Sequence, residues 1–182
     1  MKKVIIILLM MALFAPSFTQ DAPAVAVERN VLKVNTLALV IGSGSVFYER
    51  KFTDLTAGQL GFGYLNYKIG DTKFSGLILT PEVKLYVRKN AIDGFYVSPY
   101  LRYNNYKYEV KDSDSKGTLN SYGGGVAFGR QWIFKKGFVM DLFFGGHYLS
   151  ADVNVTSGTE TADITKVEGF RTRIGFNLGF AF

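Results

Sequence analysis

The chain contains no cysteine, one histidine (His147), one tryptophan (Trp132) and four prolines. Without thiols there is neither a disulfide framework nor a thiolate metal site, and a lone histidine leaves little from which to build a transition-metal centre. No cofactor and no metal are expected. Long apolar runs are absent too: the one continuous stretch, residues 4–14, falls short of the roughly 20 residues a helix needs to span a bilayer. Lysine and arginine are scattered singly rather than gathered on one face or tract, so nucleic acid is not expected as a partner.

What abounds is glycine (20), phenylalanine (16) and tyrosine (11) in 182 residues. That mixture suits a β-rich protein with aromatic belts and tightly packed small residues. The first residues have another logic. Lys2 and Lys3, the apolar run 4–14 and the segment 15–20 have the three parts of a secretory signal peptide, with cleavage expected near Thr19 or Gln20. The competing reading is a buried N-terminal helix. Removing residues 1–20 leaves 19 basic against 15 acidic residues, a mature charge of about +4. Residues 21–29 then form a flexible lead, and residues 30–182 one barrel domain. No peptidoglycan-binding domain is expected after residue 182.

From Asn30 onward the apolar residues recur with period two, the mark of strands with unlike faces. Phe170, Thr172, Ile174, Phe176, Leu178, Phe180 and Phe182 oppose Arg171, Arg173, Gly175, Asn177, Gly179 and Ala181. Residues 77–88 and 95–104 alternate as sharply. Fainter strands are expected at 31–41, 46–52, 59–68, 122–134 and 138–155, which makes eight. In 138–155 the apolar parity switches after Gly145-Gly146; a bulge there, or a strand leaving a membrane, explains it. The connections at 53–58, 89–94 and 135–137 are tight. Those at 68–75, 111–120 and 157–168 are long and polar, with 42–45 a short exception. This asymmetry, with both termini on the tight-turn side, is that of an outer-membrane barrel.

A soluble lipocalin-like barrel also has eight alternating strands. Its non-apolar face would meet water and be dense in charge. Here that face is mostly glycine, alanine, serine and asparagine with isolated charges, which suits the crowded interior of a small barrel. The expected fold is an all-β, eight-stranded antiparallel transmembrane barrel located in the bacterial outer membrane, with membrane lipid as its first partner. The terminal Phe182 is similar to the signal read by the barrel assembly machinery, a second expected partner.

The runs 30–39 and 47–50, with 81–86, 94–100 and 124–129, resemble a Bacteroidetes family of small, OmpA-like outer-membrane barrels of unknown function. The resemblance implies a fold and a location. It brings no catalytic residues.

Charges on the inner parity are Glu49, Lys51, Glu82, Lys84, Arg102, Asp141, Arg171 and Arg173. A charge in a narrow lumen must be paired, because isolated burial is costly. We expect an ion-pair network in which Glu49, Glu82 and Asp141 meet Arg102, Lys84 and Arg173. His147 and Ser150 are three residues apart and so on opposite faces, which speaks against a hydrolase pair. Arg130 has lipid-facing parity and reads as an interfacial anchor. Tyr100, Tyr103, Tyr106 and Tyr108 read as an aromatic girdle. The acids of 112–117 lack the glutamate a calcium loop requires. Function therefore ranks as a structural or surface-interaction barrel with a plugged lumen, then a narrow solute or ion pore, then a lipid-modifying enzyme. No enzyme activity is expected, and the ligand is unknown.

Overall fold

The computed structural model describes residues 28–40, 43–69, 72–88, 91–110, 116–157 and 168–182. The strands are β1 (Asn30–Asn35), β2 (Ser43–Lys51), β3 (Thr56–Ile69), β4 (Thr72–Tyr86), β5 (Gly94–Val110), β6 (Lys116–Ile133), β7 (Phe138–Ser157) and β8 (Gly169–Ala181). Each pairs antiparallel with the next, and β1 closes on β8 from Val31↔Ala181 to Asn35↔Asn177. The fold is the all-β, closed eight-stranded barrel that the alternation predicts. Closure satisfies the edges: the amides of Asn30 and Phe182 each donate to the other's carbonyl at 2.9 Å. The expected signal segment lies outside the described residues, as does most of the expected lead. Arg29, the last residue of that lead, is part of the ladder, its carbonyl accepting from Lys51 N at 2.8 Å.

Three expected elements differ. The first strand stops at Asn35, and Thr36–Val40 form a short helix, α1. The Asn35 side chain accepts from Ala38 N at 3.0 Å, an N-terminal cap that turns the chain out of the strand. Of the connection expected at 42–45, residues 43–45 belong to β2, and residue 42 lies outside the described residues. Likewise, residues 68–75 are not a long loop, and of the loop expected at 111–120 residues 116–120 belong to β6. β3 and β4 stay paired out to Ile69↔Thr72, and only residues 70–71 lie between them.

Except past Gly146 in β7 and for the tyrosines of β5, strand parity is as read. Leu77, Val83, Leu85, Phe128, Phe144 and Ile174 point outward, Phe128 and Phe144 being 59% and 61% exposed. Glu49, Lys84, Asp141 and Asn177 point inward and are buried. The change of parity in β7 has a simple cause, and it is not a bulge. β6 and β7 run in register through Gly145↔Ala127 and Gly146↔Val126, with their one irregularity at Lys116/Gly117. Odd-numbered residues face inward from Val139 to Leu149 without a break. What changes is the chemistry of the two sides.

Towards the ends of the long strands, the interior becomes apolar. Ile78, Tyr106 and Leu119 pack there with Leu65, Ala151 and Val153. At the same level the outer surface turns polar, with Asn66, Lys68, Lys73, Lys107, Glu109, Asp152 and Asn154 exposed. Below that crown the arrangement is reversed, with apolar residues outside and charges inside. On β7 the outward apolar belt runs from Phe138 to Tyr148, ten residues apart. At about 3.3 Å per residue and about 40° of tilt, this corresponds to a band about 25 Å tall.

At the tight-turn end residues 91–92 of the β4–β5 connection sit in the mouth of the barrel. Ala91 and Ile92 are buried there with Val31, Ala57, Tyr86, Tyr96, Val139 and Phe143. Ile92 has φ +74°, which a β-branched residue adopts only under constraint. Two hydrogen bonds hold it: Gln131 Nε2 donates to Ile92 O at 2.7 Å, and Ala91 N to Asp54 O at 2.9 Å.

The interior polar network as the candidate functional site

Immediately above that apolar floor lie two lysines and two carboxylates, all four fully buried. Lys33 Nζ donates to Glu49 Oε2 (2.6 Å), Gln131 Oε1 (2.6 Å) and Asp141 Oδ2 (2.8 Å). Lys84 Nζ reaches the same three oxygens at 3.1, 3.2 and 3.2 Å. An ammonium carries three donors, so each lysine is fully satisfied. The remaining carboxylate oxygens are met by tyrosines: Tyr86 Oη donates to Glu49 Oε1 at 2.6 Å and Tyr96 Oη to Asp141 Oδ1 at 2.7 Å. Asn177 Nδ2 adds a bond to Asp141 Oδ2 at 3.1 Å. The cluster is neutral overall, which is what makes burying four charges tolerable.

A second tier is built on Glu82. It accepts from Ser98 Oγ (2.6 Å), Arg173 Nη1 (2.9 Å) and Gln59 Nε2 (3.2 Å). The Arg173 guanidinium is flanked by the rings of Tyr100 (4.4 Å) and Phe143 (4.6 Å). Gly175 makes room on β8, since a β-carbon there would collide with the Phe143 ring. Higher still, Tyr100 Oη and His147 Nδ1 are 2.9 Å apart, and Asn104 Nδ2 donates to Ser121 Oγ at 2.8 Å.

Of the expected network residues, Glu49, Lys84 and Asp141 come together in one cluster, and Glu82 with Arg173 in another. Arg102 does neither. It stands above both tiers with its Nε on Asn104 Oδ1 at 3.2 Å, because strand stagger carries it past the carboxylates. Lys51 lies at the rim and pairs with Asp54 at 2.9 Å, a turn contact. Arg171 faces His147 across the β7–β8 ladder and donates to Phe170 O at 2.9 Å. Lys33, the centre of the first cluster, is not among the expected network residues. Its signal is its place between outward Leu32 and Val34.

The four tyrosines of β5 do not form one girdle. Tyr103 faces out, while Tyr100, Tyr106 and Tyr108, of even parity, are buried inside. His147 is buried and inward and Ser150 is of outward parity, so the two are not brought together. The acidic run 112–115 lies outside the described residues. Among those described, no three His, Asp or Glu residues gather as a metal site.

These features define a small closed antiparallel barrel with a charged, hydrogen-bonded interior. The chain belongs to the family described as "Protein of unknown function (DUF3575)", whose model matches residues 6–180. No curated protein matches it.

Proposed function

We propose that the protein is an outer-membrane barrel with a structural or surface-interaction role, its lumen closed by its own side chains. The observation that carries this reading is the reversal of the two faces along the strands. A belt about 25 Å tall, apolar outside and ionic inside, matches the hydrocarbon-facing band of outer-membrane barrels. Above the belt the outside is polar and the inside apolar, as it is for a barrel standing in water. An eight-stranded barrel leaves space only for side chains, and the Ala91–Ile92 floor and the two ionic tiers fill it. The crown strands and their loops are then what the cell surface meets.

In this reading residues 1–20 direct export, the barrel assembly machinery receives the C-terminal strand through Phe182, and the termini lie on the periplasmic side. Likeness to the small OmpA-like barrels of Bacteroidetes fits the same picture. The protein works without a catalytic centre. The test is conductance: purified barrel in planar bilayers should give no steady openings, and liposomes carrying it should not swell in small sugars. Large, steady single-channel openings would instead make it a pore.

A further inference from the structure

One charge sits on the apolar belt itself. Arg130 points outward from β6, opposite Phe95 on β5 and Leu142 on β7. Its guanidinium lies over the Phe95 ring (4.4 Å) and the Trp132 ring (5.1 Å). Trp132 is one outward step closer to the Lys135–Gly137 turn, so the side chain leans towards that end of the barrel. The group carries five N–H donors. Its buried Nε has no hydrogen-bond partner among the described residues. Beside it runs an open groove of about 660 Å³, in which Phe128, Leu142, Phe144 and Ile174 are apolar lining and Arg130 is the one charge. That volume falls in the roughly 300–1,000 Å³ range of ligand clefts.

We propose that this groove holds a phospholipid of the leaflet at the tight-turn end. An acyl chain lies along Phe128, Phe144 and Ile174, and the phosphodiester is gripped by Arg130. The proposal rests on the membrane reading above. A cation facing hydrocarbon needs a counter-charge, and an anionic phosphate at headgroup level supplies one to a guanidinium that leans that way. Phosphate also fits the planar fork, which can bond two of its oxygens at once. The rings of Phe95 and Trp132 hold the fork in place by cation–π contact. An uncharged lipid would fill the groove and leave the donors unmet.

Native mass spectrometry of the purified barrel, titrated with dioleoyl phosphatidylglycerol or with dioleoylglycerol, separates the possibilities. Wild type should retain one phosphatidylglycerol per barrel with at least a tenfold preference over the uncharged lipid. Arg130→Gln should lose that preference, Arg130→Lys should keep part of it, and Lys107→Gln, on the far crown, should change nothing. Equal retention of both lipids by wild type, or an unchanged preference in Arg130→Gln, overturns the site. A gel-mobility shift on heating reports insertion without reference to any particular lipid. A wild type that never shifts defeats the membrane reading itself, and the site with it.

Discussion

Replacing Lys33 by methionine should destabilise the barrel by about 3–5 kcal/mol, the usual cost of breaking a buried ion pair from one side. The variant keeps a side chain of similar length but leaves Glu49 and Asp141 sharing the single ammonium of Lys84. Two buried carboxylates against one cation is an uncompensated charge among fully buried groups. The double variant Lys33→Met with Glu49→Gln restores neutrality, with Lys84 facing Asp141 alone at 3.2 Å. Its cost should therefore be well below the sum of the two single changes, by about 0.5–3 kcal/mol of coupling. Lys107→Met, on the exposed crown, should stay within about 0.5 kcal/mol of wild type. Urea titrations of vesicle-folded protein followed by Trp132 emission give all four values. Additive costs for Lys33 and Glu49 would mean that the two do not share one electrostatic cluster.

The second large effect lies on the outer face. Phe144→Arg puts a charge near the middle of the apolar belt on β7, at a side chain 61% exposed. In a bilayer that substitution should cost about 2–4 kcal/mol, falling to about 0–1 kcal/mol near the interfaces. Asp152→Arg, on the same strand but on the polar crown, should be nearly silent. If the barrel instead stood in water, an arginine at residue 144 would lie on a solvated surface and cost little or nothing. The ratio of the two costs thus reports what surrounds the belt, independently of how well the interior is packed.

Much of this was legible because alternation fixes the side of every residue once one side is known. β4, β5 and β8 state their faces in the apolar rows 77–87, 95–103 and 170–182, and the inward placement of Glu82, Lys84 and Arg173 follows. Which inward charges meet was not legible. Lys33 on β1, Lys84 on β4 and Asp141 on β7 share a level only because of the stagger around the closed barrel, a property of the whole sheet and not of any strand. Arg102 shows the converse: right parity, wrong level. The tyrosine girdle failed on parity itself, since Tyr100, Tyr106 and Tyr108 differ from Tyr103 by odd steps. The apparent switch in β7 arises because apolar does not mean outward along the whole strand. Past Leu149 the interior is apolar, and parity and polarity part company.

The single tryptophan stands on the belt near the tight-turn end, and its emission tests the lipid-facing assignment most directly. In vesicles of lipids brominated along the acyl chains, Trp132 fluorescence should be strongly quenched, most by bromines close to the headgroup, while aqueous iodide should quench it little. Free quenching by iodide, with no response to brominated chains, would place the aromatic belt in water and contradict the membrane barrel.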